Sequence, residues 1–254
     1  MIYIKTPEQI EILREGGKRH SAILEILTAK VVPGVTTGEL DALALSLVRE
    51  GGDEPAFLGY KPAGASYAYP ATLCVSVNDE VVHGIPDAKR VLQEGDVVSL
   101  DLGLKHKGLF TDAAVTVAVG TVDIKKRELL KVAVASLYKG IDEIKPGART
   151  GDIGHAIEHY IKAYKYGVVR DLAGHGVGIA IHEDPFIPNY GQKGKGTLLK
   201  AGMVIAIEPM VNLGTAEVTL DDDDYTFRTA DGKASAHFEH TVLVTEDGYE
   251  ILTQ

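Results

Sequence analysis

The sequence predicts an α+β fold built from a duplicated unit, helix followed by strands, whose two copies are related by an approximate two-fold axis. Two observations predict it. First, four segments recur in the same order. Pro33-Gly34-Val35-Thr36-Thr37-Gly38-Glu39-Leu40 resembles Pro146-Gly147-Ala148-Arg149-Thr150-Gly151-Asp152-Ile153, and His83-x-x-Pro86 matches His182-x-x-Pro185. Gly95 to Asp101 aligns with Gly202 to Glu208, each an apolar strand pattern closed by an acid, and Thr111-Asp112 aligns with Phe238-Glu239. Second, apolar runs of strand length at 72–77, 96–102, 113–119, 204–207 and 241–244 imply a central, mostly antiparallel sheet. The copies span roughly 31–120 and 144–248, and no linker divides the chain, so 1–254 is expected to be a single domain. The repeat is too long, and present too few times, for a solenoid.

In chain order, Thr6-Pro7-Glu8-Gln9 supplies an N-cap, a proline at the first helical position and a glutamine placed to cap back. Apolar residues from Ile10 to Leu27 then recur at mostly helical intervals, with Gly16-Gly17 expected to loosen the helix and Val31-Val32-Pro33-Gly34 to end the segment. Helical patterns follow at 38–50, 126–144 and 151–165, and Gly191 to Gly196 (GQKGKG) reads as a flexible loop.

Composition narrows the function. Hydrophobic residues make up 45% and charged residues 24% of the 254, as in an ordinary globular protein. A net charge of −10 gives no electrostatic footprint for nucleic acid or an anionic membrane. The acidic run Asp221 to Asp224 is expected to be a solvated loop. A single cysteine excludes an internal disulfide. With no signal-peptide core and no run of membrane-span length, the expectation is a soluble cytoplasmic protein, acting as a monomer.

The chemistry lies in acids placed inside apolar strands. In GDVVSLDLGLKHKGLFTDAAV (95–115), a hairpin turning between residues 106 and 107 sets Asp101 opposite Asp112 on one face. Two bare carboxylates at about 5 Å repel, so a shared proton, a Lys or Arg partner, or a metal must hold them. The repeat adds Glu208 and Glu239 at equivalent places, and none of these strand segments carries a partner Lys or Arg between its apolar residues. That favours a metal. His175, flanked by glycines in Ala173-Gly174-His175-Gly176-Val177-Gly178, completes the set. Four carboxylates and an imidazole carry too much charge for one ion and suit two divalent ions drawn from Mn, Fe, Co or Zn. A competing motif, His155-x-x-Glu158-His159, has the spacing of inverted zinc proteases, but its three polar residues are expected on the outer face of helix 151–165.

The ordered set Asp101, Asp112, His175, Glu208, Glu239 resembles the methionine aminopeptidase family. So do NDEVVHGIP (78–86), SLDLG (99–103), TDAA (111–114), GHGVG (174–178), IHEDP (181–185), IEPM (207–210) and FEHT (238–241). The likeness spans nearly the whole chain and is to the short bacterial type I form. There is no Cys-rich N-terminal extension, no room between His175 and Glu208 for the type II helical insert, and none for the N-terminal domain of the related prolidases. It implies the pita-bread fold, with helices backing a curved antiparallel sheet.

It also implies roles. All five residues would hold the two ions, with Asp101 chelating and Asp112 and Glu239 bridging. Glu208 would shuttle a proton, His182 would support the oxyanion, and His83 would contact the scissile amide and assist the leaving amine. Tyr69 and Cys74 match positions of the side-chain pocket. Phe57 stands where relatives often carry Cys, and Ile181 and Tyr225 where they often carry Phe and Trp. The loop 58–70 reads longer than in common bacterial forms, with Tyr60 or Tyr67 as a second pocket tyrosine. The implied activity is hydrolytic removal of the initiator methionine before a small second residue, from nascent chains, with encounter at the ribosome. Two alternatives are an X-Pro dipeptidase-like enzyme and a non-catalytic binding member of the same fold.

Overall fold

The computed structural model describes all 254 residues. Helix α1 (Pro7–Ala29) opens with the expected capping box: Gln9 N–H donates to Thr6 Oγ1 at 3.3 Å and Thr6 N–H to Gln9 Oε1 at 2.9 Å. The helix runs unbroken through Gly16-Gly17, contrary to the expected loosening. These glycines mark close approach instead. A Cβ on Gly17 would stand 2.1 Å from the Leu252 carbonyl oxygen, and one on Gly16 3.1 Å from His106 Cβ. Helix α2 (Thr37–Glu50) carries a second capping box between Thr36 and Glu39. Helix α3 (Ile124–Ile141) starts two residues before the apolar pattern suggests, because Asp123 accepts the N–H groups of Lys125 and Lys126 at 2.8 and 3.0 Å. Helix α4 (Thr150–Lys162) stops short of the expected 165.

Two antiparallel sheets carry the centre. In the first, the long strand 97–106 lies between 73–77 and 109–118 and also pairs with the short 54–55. The second runs 249–251, 240–244, 204–207, 173–176, 183–188. They join at a seam. Glu239 N–H donates to Ala114 O at 2.9 Å, Asp112 N–H donates to Thr241 Oγ1 at 2.8 Å, and Thr241 Oγ1 donates back to Asp112 O at 2.7 Å. The two halves also tie their helix starts alike, through the bridges Thr36–Val91 and Arg149–Leu198.

Strand alternation sorts the side chains. Leu100, Leu102 and Leu104 face α1 and α2 in one core, with Leu24, Leu27, Leu40 and Val48. Ile205, Ile207, Val242 and Val244 face α3 and α4 in the other, with Leu137, Ile153 and Ile157. The helices cover one face of the curved sheet. The opposite face receives Asp101 from its strand, and Glu208 and Glu239 from strand ends, each an odd number of residues from the core-facing positions of its own strand.

The hairpin register differs from the expectation. Lys107 and Gly108, with φ of 47° and 85°, form the turn, as a tight antiparallel connection requires. Asp101 therefore pairs with Ala114, and Asp112 with Gly103. The acids are diagonal rather than opposite, but a slip of two residues leaves both on the same face.

Two further expectations are corrected, and a third is sharpened, since the acidic run keeps Asp222 and Asp224 exposed. Gly191 to Gly196 is fastened to the start of α4, with Gly194 N–H on Asp152 Oδ1 at 2.7 Å and Gly151 N–H on Lys195 O at 3.0 Å. On α4, His159 is exposed and His155 half-buried, but Glu158 is buried because Arg170 and Lys162 pair with it at 2.5 and 3.0 Å. The run Asp221–Asp224 is a bonded turn: Asp223 accepts the N–H groups of Tyr225 and Thr226 at 2.9 and 2.8 Å, and Asp221 pairs with Arg228 at 2.6 Å.

Candidate metal centre

The five residues picked from the sequence meet on the helix-free face. Asp101 comes from strand 97–106, Asp112 from 109–118, His175 from 173–176, Glu208 from just beyond 204–207, and Glu239 from the seam itself. Ligand atoms of Asp101, Asp112 and Glu239 lie within 4.8 Å of one another, as do those of His175, Glu208 and Glu239. Glu239 belongs to both groups. Asp112 also clusters with His175 and His182. His175 Nε2 stands 3.5 Å from Glu208 Oε1 and 3.8 Å from Asp112 Oδ2. Its Nδ1 lies 2.9 Å from Gly176 O. A carbonyl only accepts, so this contact assigns the ring proton to Nδ1 and leaves the Nε2 lone pair facing the acids.

Electrostatically the cluster is unbalanced. None of the four acids pairs with a Lys or Arg; the only basic nitrogens within ion-pair distance are the imidazoles of His175 and His237, whose protonated forms burial disfavours. This removes the salt-bridge alternative. Burial, with Glu208 adding repulsion and His237 opposing, pushes the Asp101 carboxyl up to about 7. Burial pushes Glu208 up to about 8. Asp112 and Glu239 are held well above the carboxylate range by burial and then by their acidic neighbours. Burial lowers His175 to about 3, so its ring is neutral. Asp101 Oδ1, Asp112 Oδ1 and Glu239 Oε1 are buried without any hydrogen-bond partner. Orphaned buried oxygens are costly, and a divalent cation would satisfy them. An oxygen-rich set with one imidazole fits that chemistry.

The acids floor a cavity of about 210 Å³. His83 and His182 flank it, and Phe57, Tyr69, Cys74 and Tyr225 line its apolar end. His83 is buried enough to be lowered to about 4 and sits in the left-handed region at φ 60°, uncommon for a side chain of this size. Gly103 makes room for Phe57: a Cβ there would lie 2.7 Å from Phe57 Cε1. Tyr69 OH donates to Gly84 O at 3.0 Å and its ring meets Tyr225 edge-on at 5.1 Å. Ile181 packs in the same apolar cluster.

The two tyrosines of the long loop lie differently. Tyr60 lines the cavity, with its OH 3.0 Å from His182 Nδ1. Tyr67 faces outward, its OH donating to Asp223 O at 2.7 Å, and it does not line the cavity. Tyr225 OH donates to Tyr67 O, and Ser66 donates to Asp224. Loop 58–70 and the acidic turn thus clasp each other beside Tyr225, which lines the apolar end.

His237 was not singled out from the sequence. It is buried, neither ring nitrogen has a partner, and Nε2 lies 3.6 Å from Glu208 Oε2 and 3.9 Å from Glu239 Oε2. The signal was available: two residues before Glu239, it shares that residue's face. Asn189, also missed, donates through Nδ2 to Glu208 O at 3.0 Å.

A curved sheet backed by helices, with acids from both halves converging on its open face, defines a metal-dependent hydrolase of the pita-bread fold. The chain belongs to metallopeptidase family M24, whose sequence pattern matches residues 11–246. It is 46% identical to methionine aminopeptidase 1 of Bacillus subtilis over the full length of both chains. It superposes on a crystal structure of methionine aminopeptidase from Thermotoga maritima with a TM-score of 0.95, at 46% identity and complete coverage of both. A prolidase from Pyrococcus furiosus matches at a TM-score of 0.78 and 28% identity; the match covers 99% of this chain and 65% of that one.

Proposed function

We propose that this chain, as a single catalytic unit over residues 1–254, hydrolytically removes the N-terminal methionine from nascent polypeptides, preferring a small second residue. The observation that carries this reading is a set of orphaned buried carboxylates lining a cavity whose apolar end is walled by the buried Phe57, Tyr69, Cys74 and Tyr225. A cavity of about 210 Å³ has room for about one side chain beyond the scissile bond, as an aminopeptidase requires. An unbranched thioether suits a slot walled by Phe57, Tyr69, Cys74 and Tyr225.

Asp101, Asp112, His175, Glu208 and Glu239 would hold two divalent ions, with Asp112 and Glu239 shared between them; Mn, Fe, Co and Zn all suit the donor set. When bound, such ions polarise the substrate carbonyl and bring the pKa of water towards neutrality. Glu208 takes up the proton released as water attacks and passes it towards the leaving amine. His182, steadied by Tyr60, supports the developing oxyanion. His83, neutral at pH 7, contacts the scissile amide and assists the leaving amine. The enzyme acts in the cytoplasm as a monomer, meeting chain termini at the ribosome through the peptide and not through RNA, consistent with its net charge of −10.

The test is a peptide panel with protein loaded with Mn, Co or Fe. Met-Ala-Ser is cleaved after methionine and Met-Lys peptides are spared. Preference for X-Pro peptides, or internal cleavage without release of an N-terminal residue, overturns the reading.

A further inference from the structure

The turn that carries His182 is fixed by a buried ion pair reaching in from the far end of the sequence. Lys5 Nζ lies 2.6 Å from Glu183 Oε2, and both side chains are only 1% exposed. The other oxygen of Glu183 accepts the N–H groups of Ile179 and of Ala180, the latter at 3.0 Å. One carboxylate therefore spans the turn, from its first residues to the position directly after His182. The backbone makes room for the lysine: Gly178 adopts φ 132°, and a Cβ there would stand 2.5 Å from Lys5 Cε. Lys5 is itself anchored, its N–H donating to Gly202 O at 2.8 Å. The base of the turn is tied to the acid-bearing hairpin, because Phe110 N–H donates to Gly178 O at 2.8 Å.

A buried ion pair is a poor way to gain stability, since desolvation offsets most of the attraction and apolar residues of similar size often do as well. What this pair does supply is geometry. Between its fixed points lie Ile181, packed in the apolar cluster of the cavity, and His182, whose ring sits 4.6 Å from that of His175 and bonds to Tyr60. Neither Lys5 nor Glu183 lines the catalytic cavity.

We propose that Lys5, acting through Glu183, is a positioning residue that sets the placement of His182 over the centre. This rests on the role assigned to His182 above. Lys5→Met keeps the unbranched stem and removes the charge, and Glu183→Gln keeps the acceptor for the two N–H groups. Misplacing a reacting group by a fraction of an ångström to 1 Å costs about 10- to 100-fold. Lys5→Met is therefore expected to lower kcat and kcat/KM together by roughly 10-fold or more, with KM and manganese affinity by calorimetry unchanged.

The decisive readout is a cycle with His182→Ala. In that background Lys5→Met is expected to cause no further loss, because the group it positions is gone. A full additional loss, a parallel fall in manganese affinity, or wild-type kcat in Lys5→Met overturns the proposal. If Lys5→Met does not fold, Glu183→Gln takes its place with the same expected outcomes. An activity-independent measurement separates this inference from the functional reading. The imidazole NMR resonance of His182, assigned by its loss in His182→Ala, is expected to shift or broaden in Lys5→Met. An unmoved His182 signal counts against the positioning role, whereas an inactive wild type counts against the proposed activity.

Discussion

Glu239→Gln is expected to lower kcat/KM for Met-Ala-Ser by on the order of 10³-fold, corresponding to a loss of several kcal/mol of charge stabilisation in the transition state. Glu239 is the acid shared by both ligand groups, so losing its charge weakens both at once. The fold should survive. The seam at this position is made by backbone atoms, Glu239 N–H to Ala114 O at 2.9 Å, which the substitution leaves in place. In metal-free protein the side chain is buried and unpartnered on Oε1, and burial and then its acidic neighbours push its carboxyl well above the usual range, disfavouring the charge. A neutral amide of the same shape costs little there. Thermal melts of metal-free wild type and variant should therefore nearly coincide while activity collapses. A parallel loss of stability would make Glu239 a structural residue.

The second large effect concerns pH and metal together. In the metal-free fold Asp101 and Glu208 titrate near 7 and 8, against about 4 for the same groups in an unfolded chain. Between those values the folded state holds protons that the unfolded state has released. The stability they contribute is fully present below about pH 4 and is lost as pH rises through 7 and 8. Bound divalent ions reverse this, since they need ionised carboxylates and bind more tightly as pH rises. At a thousand times Kd they contribute about 4 kcal/mol, a shift of roughly 10 °C in a chain of this size. Melts of EDTA-treated protein should fall in midpoint from pH 5 to 8.5, and the gap to manganese-saturated protein should widen over the same range. A gap independent of pH would show that the acids are already ionised without metal.

Much of the site was legible because strand periodicity is robust. The hairpin register was misplaced by two residues, yet Asp101 and Asp112 still share a face, since only an odd slip would have separated them. Capping boxes at Thr6 and Thr36 were readable because they are local hydrogen-bond chemistry. What escaped depended on contacts distant in sequence. Composition alone marks Asp221 to Asp224 as solvated, but Arg228, Ser66 and Tyr67 turn the run into the clasp that seats Tyr225. Glu158 looked like an outward helix residue until Arg170, on the following segment, drew it inward. Gly16-Gly17 suggested looseness and instead marked contact, since one sequence cannot show which backbone will pass against a helix. His237 was hidden for another reason: it stands just outside the FEHT motif, although its face is that of Glu239.

The central claim is that acids from both halves of the chain jointly hold two divalent ions. Anomalous diffraction from crystals grown with manganese tests it most directly. The expected map has two peaks about 3.5–4 Å apart, with Asp112 and Glu239 touching both. A map with no peak among these five residues, or with one ion held by a single half of the chain, would contradict it.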